Sequence, residues 1–257
     1  MGGEASVKID LSGRTAVITG ASRGLGEAMA KALAESGARI ALVARDTKKL
    51  ESVRDAIAKS GGAAEFFACD VTREEDVTRL MNEVKQRFGA PQILVNNAGI
   101  NIRKNLVDFT LEEFRSIIDA SLTSTFLMCR GFVPGMKGSG YGRVLNLSSI
   151  MGHVSLPGRS AYSAAKSALL GLTRALALEL AGDAITVNCI SPGPFATEMN
   201  TVLINNPEAN AQFLAGVPLG RWGDAGEIGS LACYLCSEAA GFITGTDILI
   251  DGGWTAR

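Results

Sequence analysis

Short apolar runs alternate with longer amphipathic stretches along most of the 257-residue chain. Short runs rich in β-branched and other apolar residues predict buried strands. The predicted strands are Thr15–Thr19, Ile40–Ala44, Glu65–Ala68, Ile93–Asn96, Val144–Leu147, Ile185–Ile190 and Asp247–Ile250. Stretches with apolar residues at every third or fourth position predict helices. The predicted helices are Leu25–Ser36, Thr47–Ser60, Glu74–Phe88, Leu111–Val133, Ala161–Ala181 and Ala225–Ser237. This repeated order predicts an α/β fold, in which a doubly wound parallel sheet carries helices on both faces.

The regular order of elements predicts a single domain over residues 1–257, with residues 1–12 as an N-terminal extension. We find no linker or internal repeat that would divide the chain. Ligands of such a sheet bind at the carboxyl ends of its strands. The stretch 193–216 contains prolines and no clear strand pattern, so we expect a mobile lid over the substrate there.

Composition narrows the class of ligand. Charged residues make up 20% of the chain and the net charge is −1, so neither nucleic acid nor an anionic membrane is an expected partner. A small molecule is expected instead. The five cysteines are scattered through apolar runs, which predicts reduced thiols in a cytoplasmic protein. Because the sequence has one histidine and no paired cysteine clusters, no metal site is expected.

Membrane attachment is not expected. No apolar stretch reaches the roughly 20 residues that a membrane span needs, and no signal-peptide pattern is visible. The first residues fit the bare N-myristoylation pattern at Gly2. Glu4 and the absence of a polybasic segment favour a chance match.

The first strand-to-helix junction reads TGASRGLGEAMA, from Thr19 to Ala30. Its glycines allow a tight turn and let the amides at the start of the helix approach a pyrophosphate. The spacing G-x-x-x-G-x-G differs from the common dinucleotide fingerprint, and Glu27 excludes a Walker A loop. Glycine turns also end strands for structural reasons, but the position between strand and helix favours dinucleotide binding. The candidate cofactor-binding residues here are Gly20, Ser22, Arg23, Gly24, Leu25 and Gly26.

The tip of the second predicted strand bears on the choice of cofactor. An acidic residue there would hydrogen-bond the ribose 2′-hydroxyl of NAD, whereas an arginine would pair with the 2′-phosphate of NADP. Ala44 and Arg45 occupy the tip, and Arg23 lies in the nearby glycine junction. This pattern predicts NADP(H). Asp46 keeps NAD as the alternative, because a shift of one residue would bring its carboxylate to the ribose.

Tyr162 and Lys166 lie four residues apart on a predicted helix, so their side chains share one face. A neighbouring ammonium would lower the pKa of the tyrosine from about 10 and make it a usable proton donor at neutral pH. Ser149, on the preceding loop, could hold a substrate oxygen. For the tyrosine and lysine alone, an ordinary amphipathic helix is the alternative interpretation.

Taken together, the motifs of this chain resemble those of the short-chain dehydrogenase/reductase family over essentially its whole length. The family's TGxxxGxG motif matches Thr19–Gly26, and its NNAG motif matches Asn96–Gly99. Its S-x12-Y-x3-K motif matches Ser149, Tyr162 and Lys166. The resemblance implies a single Rossmann-type domain with a seven-stranded sheet, assembled as a homotetramer or homodimer.

The resemblance also implies roles for individual residues. Tyr162 would protonate a carbonyl oxygen as hydride leaves the nicotinamide, Lys166 would lower the tyrosine pKa and hold the nicotinamide ribose, and Ser149 would position the substrate oxygen. Asp70 and Val71 match the family's adenine contact. The further cofactor-binding residues implied by the family motifs are Asn97, Ala98, Gly99, Pro192, Gly193, Phe195 and Thr197, together with Tyr162 and Lys166.

One position departs from the family pattern. Ser121, in the predicted helix Leu111–Val133, stands where the family usually has the asparagine of its catalytic tetrad. A hydroxyl can hydrogen-bond but lacks the two donors and the carbonyl acceptor of an amide. The resemblance therefore implies a catalytic position at Ser121 with an altered water-mediated proton relay. A neutral packing change on an apolar helix is the alternative.

The expected reaction is the NADP(H)-dependent interconversion of a small ketone and a secondary alcohol by hydride transfer. Segments 100–106, 151–160 and 193–216 should border the substrate. They offer four possible anion contacts, which are Arg103, Lys104, His153 and Arg159. Each could equally be a solvated surface charge.

The sequence is similar to two branches of the family, the 3-oxoacyl-carrier-protein reductases and the gluconate 5-dehydrogenase-like enzymes of sugar acids. An acidic carrier protein would need a basic docking face, and Ala175–Asp183 contains no lysine or arginine. A reductase of carrier-bound substrates is therefore the first alternative. A weakly active or non-catalytic NADP-binding sensor is the second, favoured by Ser121 and opposed by the retained serine, tyrosine and lysine. Hydrolysis is disfavoured because the lone histidine, His153, has no evident triad context.

Overall fold

The computed structural model describes residues 9–256, apart from the side chains of Met199 and Val202. The Gly2 pattern and residues 1–8 of the predicted extension lie outside the described residues. Seven parallel strands form one sheet, with bounds β1 Thr15–Thr19, β2 Arg39–Ala44, β3 Ala63–Ala68, β4 Ile93–Asn96, β5 Gly142–Leu147, β6 Ile185–Pro192 and β7 Asp247–Ile250. Their order across the sheet is β3-β2-β1-β4-β5-β6-β7.

The helices lie between the strands along the chain, as the pattern predicts. Their bounds are α1 Gly24–Glu35, α2 Thr47–Lys59, α3 Glu74–Phe88, α4 Leu111–Ile118, α5 Ser124–Met136, α6 Ser160–Leu180, α7 Thr201–Ile204, α8 Pro207–Leu214 and α9 Ala225–Cys236. The prediction of a doubly wound parallel sheet with helices on both faces is confirmed. Within residues 9–256, no helix has the length and apolarity that crossing a bilayer requires.

Two apolar cores lie on opposite faces of the sheet. One contains the buried side chains of α1, α2 and α9, with Leu33, Leu50 and Ile228 among them. The other contains those of α3 and α5, with Leu80 and Phe132 among them. Residues along β1 and β4 alternate between the two cores, because successive side chains of a strand point to opposite faces. Both faces of the central strands are therefore covered, which explains their continuous apolar sequence.

The chain reverses direction across the sheet between β1 and β4. β1 pairs with β2 on one side and with β4 on the other, so the connections that follow β1 and β4 leave toward opposite edges. Such a reversal opens a crevice at the carboxyl ends of the strands, where ligands of this architecture bind. The crevice lies between the glycine junction after β1 and residues 97–99 after β4.

Two predicted segments differ from the structure. The helix predicted for Leu111–Val133 is confirmed as one helical run, but its middle is a π-helical segment, Asp119–Thr123, which lies between α4 and α5. The stretch 193–216, for which no helix was predicted, contains α7 and α8. Asn206 caps α8 by accepting from the Ala209 amide at 3.1 Å, and Pro207 starts that helix with its fixed φ.

Candidate functional site

The glycine junction is a cradle without room for side chains. Gly20 and Gly24 have φ values of +64° and +59°, which favour glycine. A Cβ on Gly26 would lie 2.3 Å from the Gly20 carbonyl oxygen and 2.5 Å from Asn97 Nδ2. The start of α1 therefore packs directly on the preceding turn. This geometry leaves backbone amides at the end of the crevice, as a pyrophosphate site requires.

Asn97 ties the two sides of the crevice together. Its Nδ2 donates to the carbonyls of Thr19 at 3.0 Å and Gly20 at 3.2 Å. The Thr19 hydroxyl in turn accepts from the amides of Asn97 and Ala98, at 2.9 and 3.0 Å. The side chain of Asn97 thus supports the glycine turn from behind. The Thr19 hydroxyl is a site feature that sequence reasoning missed, although its residue opens the motif.

The tip of β2 carries the exposed Arg45, and the carboxylate of the next residue, Asp46, is bound elsewhere. Arg45 is exposed at the end of the strand. Asp46 is the N-cap of α2, and its carboxylate accepts from the Lys49 amide at 3.1 Å. A carboxylate held at a helix start is stabilised there by the helix amides and dipole. The one-residue shift that would make Asp46 a ribose ligand is therefore opposed by this cap.

Glu198, next to Thr197, contacts two cations across the crevice. Its Oε2 lies 3.7 Å from Arg23 Nη1 and 3.7 Å from Lys49 Nζ. Lys49 stands on the first turn of α2, one residue before the buried Leu50. Sequence reasoning overlooked both Lys49 and Glu198, because their meeting depends on the position of the segment after β6. Three cations, including Arg45, therefore cluster beside the glycine junction.

The predicted adenine contact follows β3. One carboxylate oxygen of Asp70 accepts from the Thr72 amide at 3.1 Å and from the Thr72 hydroxyl at 2.7 Å. The Asp70 amide donates to Asp76 at 3.2 Å, which joins this turn to α3. Val71 is buried in the core next to Asp70. Asp70 is consequently fixed at the β2–β3 side of the crevice.

The predicted cofactor-binding residues Pro192–Thr197 form a loop at the end of β6 that is anchored at both ends. The Gly193 amide donates to Ile250 at 2.9 Å, and a Cβ on Gly193 would lie 2.6 Å from that of Asp251. Phe195 is buried and forms a bridge with Gly223. Thr197 reaches the glycine junction, because its Cγ2 lies 3.8 Å from the position of a Cβ on Gly24. Residues 193–197 thus lead from the sheet to the crevice.

Ser149 and Tyr162 meet at the carboxyl end of β5. Ser149 caps a short 3₁₀ turn by accepting from the Met151 amide at 3.1 Å, and its side chain hydrogen-bonds Tyr162. Tyr162 lies in the first turn of α6. Burial raises the pKa of Tyr162 above its ordinary value, while the hydrogen bond with Ser149 and the charge of Arg159 act in the opposite direction. A net lowering of this pKa, which the sequence predicts, is not found in the structure described, because desolvation of the phenolate is the largest effect.

Lys166 is buried one turn after Tyr162. Its Nζ donates to the Leu147 carbonyl at 2.6 Å and lies 5.6 Å from the centroid of the Tyr162 ring. The side chain bends toward the end of β5, whose carbonyl holds the ammonium. Burial lowers the pKa of Lys166 from an ordinary value of 10.5 to about 8. The lysine is therefore close to losing its charge at mildly alkaline pH.

This lowered pKa has a measurable effect on stability. Between pH 8 and 10.5 the unfolded chain keeps the Lys166 proton that the folded protein has lost, so stability rises with pH in this window. We expect the free energy of unfolding of the wild type, relative to Lys166→Met, to rise by about 2 kcal/mol from pH 7.5 to 9.5. Chemical unfolding at the two pH values measures it. Lys48→Met, at an exposed position, is the control, and the free energy of unfolding of the wild type relative to this variant should not change with pH. If the difference between the wild type and Lys166→Met is equally independent of pH, the assigned pKa is contradicted.

Ser121 lies in the π-helical segment, beside Lys166. The side chain is 1% exposed, and its hydroxyl has no hydrogen-bond partner among the described residues. A Cβ on Gly99 would lie 3.3 Å from Ser121 Oγ and 3.6 Å from Lys166 Nζ. The hydroxyl and the ammonium therefore border the same small space next to Gly99. A buried hydroxyl without a partner at a π-bulge is the kind of feature that accompanies functional sites.

A chain of buried amides and hydroxyls lies behind this site. Asn96 Nδ2 donates to Asn146 Oδ1 at 2.9 Å, and Asn146 Nδ2 donates to the Thr173 hydroxyl at 2.8 Å. The side-chain amide oxygen of Asn96, Oδ1, has no hydrogen-bond partner among the residues described. This network links β4, β5 and α6 and was not predicted. It fixes the position of α6, and hence of Tyr162, against the sheet.

The four predicted anion contacts divide into two groups. Lys104 forms an ion pair with Glu113, and His153 forms one with Asp247. Asp247 is held in turn by the Ser191 hydroxyl, which donates at 2.8 Å. For Arg103 and Arg159 the described residues provide no carboxylate partner. Those residues also contain no group of three or more histidine, cysteine or acidic side chains that could hold a metal ion.

The fold and the site together define an oxidoreductase of the Rossmann type. A family model described as enoyl-(acyl carrier protein) reductase matches residues 20–255. The chain belongs to the short-chain dehydrogenase/reductase family, whose members here act on CH–OH and C=O groups, and the resemblance stated from the motifs is confirmed.

Individual relatives are similar over almost their full length. D-beta-hydroxybutyrate dehydrogenase of Rhizobium meliloti is 38% identical over 256 residues, covering 95% of this chain and 99% of the relative. The 3-oxoacyl-[acyl-carrier-protein] reductase of Pseudomonas aeruginosa is 35% identical, covering 95% and 98%. A solved structure of a candidate 2-deoxy-D-gluconate 3-dehydrogenase from Agrobacterium tumefaciens, with bound NADP, has a TM-score of 0.88 and 34% identity, covering 98% and 100%.

Proposed function

We propose that the protein interconverts a small ketone and a secondary alcohol by hydride transfer with NADP(H), with Tyr162 as the acid and base. The observation that carries this proposal is the meeting of Ser149, Tyr162 and Lys166 at the carboxyl end of β5, beside the crevice. When bound, the dinucleotide supplies or accepts the hydride. Gly20 and Gly26 fit its pyrophosphate, because the absence of side chains lets the start of α1 pack directly on the turn after β1.

Each polar residue of the site has its own role in the proposed reaction. The Ser149 hydroxyl holds the substrate oxygen, and Tyr162 donates a proton to it in reduction or accepts one in oxidation. The phenol of Tyr162 is protonated at neutral pH even with the ordinary tyrosine pKa of about 10, and this is the form that reduction requires. The positive charge of Lys166 stabilises the phenolate that follows and holds the nicotinamide ribose. Ser121 completes the proton path through water in the space beside Gly99.

The preference for NADP(H) rests on the cations at the tip of β2. Arg45, Arg23 and Lys49 stand beside the glycine junction, while Asp46 is engaged as the cap of α2. NADP bound to a similar solved structure supports the same choice. NAD remains the alternative. The remaining cofactor contacts are proposed at Asp70, Val71, Asn97–Gly99 and the loop Pro192–Thr197.

Two relatives suggest the size of the substrate. Hydroxybutyrate and deoxygluconate, the substrates in their names, are small acids that carry a secondary alcohol. The alternative of a carrier-bound 3-oxoacyl substrate is supported by the Pseudomonas relative. Against it stands the second half of α6, where Ala175–Asp183 offers no basic residue. Residues 193–216 are proposed as the lid over either substrate.

Assembly and location are proposed from the surface and the thiols. Leu178 and Phe242 are almost fully exposed, which supports a homotetramer or homodimer that covers them. The five cysteines are buried thiols without disulfides, which suits the cytoplasm.

The proposed reaction is tested by following NADPH oxidation with β-ketoacyl thioesters, keto sugar acids and cyclic ketones. Reduction of a small keto acid or ketone is the expected result. Reduction of carrier-bound thioesters alone would favour the alternative. A folded protein that binds NADPH and reduces none of them would contradict catalysis and favour a sensor.

Ser121→Asn tests the proposed proton path. The longer amide can hold a water near Lys166 through more hydrogen-bonding groups than the hydroxyl, so turnover should rise by about fivefold, the equivalent of one hydrogen bond. Ser121→Ala is the matched control and should lower turnover. Turnover is measured across pH with one accepted ketone, alongside thermal melting. Unchanged turnover and pH profile in folded Ser121→Asn protein would leave only a packing role for this position.

A further inference from the structure

Arg159 and Arg103 are held next to each other at the entrance to the site. The Lys104 amide donates to the Gly158 carbonyl at 3.2 Å, which joins the loop after β4 to the loop before α6. Arg103 and Arg159 are the neighbours of these two bonded residues. Arg159 also immediately precedes α6, in whose first turn Tyr162 lies. The backbone therefore places two guanidinium groups beside the proposed proton donor.

This arrangement leaves positive charge without compensation. Arg159 is partly buried, and both its burial and the nearby charge of Arg103 lower its pKa, while Tyr162 acts in the opposite sense. Of the other two predicted anion contacts, Lys104 is paired with Glu113, and His153 is hydrogen-bonded to Asp247. No carboxylate among the described residues pairs with Arg103 or Arg159. A partly buried guanidinium next to a second, exposed one is unfavourable unless an anion joins them.

We propose that Arg159 and Arg103 form a subsite for the carboxylate of the substrate, so that the enzyme acts on small keto and hydroxy acids. This inference rests on the proposed function, since it orients the substrate carbonyl toward Ser149 and Tyr162. A guanidinium suits the task because its planar donors bind both oxygens of a carboxylate. Arg159, nearer to Tyr162 along the chain, is the principal ligand. Arg103 adds the second charge.

The test compares an acid with its neutral ester. Acetoacetate and ethyl acetoacetate carry the same ketone, but the ester lacks the charge. The ratio of kcat/KM for the acid to that for the ester should fall at least tenfold in Arg159→Met, mainly through KM of the acid, and less in Arg103→Met. Arg159→Lys should restore part of the ratio, because it returns the charge without the fork. Arg174→Met, at an exposed position on α6, is the matched control and should keep the ratio.

The outcomes separate the subsite from the reaction. Turnover of both ketones with an acid-to-ester ratio that Arg159→Met does not change would overturn the subsite and leave the proposed function standing. If neither ketone is reduced, the proposed function is in question, and the subsite is judged by melting of the NADPH-bound protein with acetoacetate. Stabilisation of the wild type and not of Arg159→Met supports it, and no difference overturns it. Dependence on Arg159 for phosphopantetheine thioesters alone would replace the carboxylate by a phosphate and contradict the proposal.

Discussion

Tyr162→Phe should lose at least about a thousandfold in kcat while its affinity for NADPH changes by less than about twofold. The phenol is the only part of the side chain that can donate a proton to the substrate oxygen, and acid–base groups of this kind contribute roughly 10² to 10⁴ in rate. The ring that faces Lys166 remains, so the packing around the ammonium persists. Steady-state turnover with one accepted ketone and the NADPH dissociation constant measure the two effects.

The comparison needs a control for the loss of a hydroxyl. Tyr234→Phe, at a partly exposed position on α9, should behave as the wild type. Near-normal turnover of well-folded Tyr162→Phe protein would refute the proposed acid. Loss of both turnover and cofactor binding would instead indicate that the hydroxyl supports the cofactor site.

NADP⁺ should bind the wild type at least about tenfold more tightly than NAD⁺, and Arg45→Ala should remove most of this difference. A hydrogen bond to a charged group contributes roughly 1.5–3 kcal/mol, so the dissociation constant for NADP⁺ should rise by about 10- to 150-fold. NAD⁺ lacks the 2′-phosphate, and its affinity should hardly change. Titration calorimetry with both cofactors gives the two constants.

Glu198 offers an independent check on the same site. Its carboxylate lies 3.7 Å from Arg23 and Lys49, where it competes with a phosphate for both cations. Glu198→Gln should therefore strengthen NADP⁺ binding by a few fold and leave NAD⁺ unaffected. Lys59→Ala, at the far end of α2, serves as the control for loss of a positive charge. Equal affinity of the wild type for both cofactors, or equal weakening of both by Arg45→Ala, would rule out the assigned phosphate site.

The strands could be predicted closely because their burial leaves a strong signature. β1, β4 and β7 have the predicted bounds, since turn residues follow apolar runs at both ends. The π-helical segment at Asp119–Thr123 left no comparable signal in the sequence, because the amphipathic pattern continues through a π-bulge. The helices α7 and α8 were missed because they are short, and because α8 has no buried side chain that would give an apolar pattern.

The site could be predicted as a set of residues but not as an electrostatic environment. Ser149, Tyr162 and Lys166 meet as their spacing indicates. The direction of the Tyr162 pKa shift could not be read from that spacing, since burial outweighs neighbouring charge and burial is a property of the whole fold. The partner of His153, Asp247, likewise comes from a distant part of the chain. Arg159 could be distinguished from the other candidate anion contacts only when the structure showed which of them have carboxylate partners.

Because Asn97 bonds to Thr19 and Gly20, the cofactor cradle cannot be completed until the residue that follows β4 has been synthesised. A ribosome that has released β1, α1 and β2 has supplied the glycines and Arg45, yet the amide that supports the turn is 77 residues beyond Gly20. Until β4 docks beside β1, the nascent chain lacks both the neighbouring strand and this support. Long-range parallel pairing is slow and exposes apolar edges meanwhile. An N-terminal fragment ending before β4 would therefore contain most of the dinucleotide motif without being able to shape it.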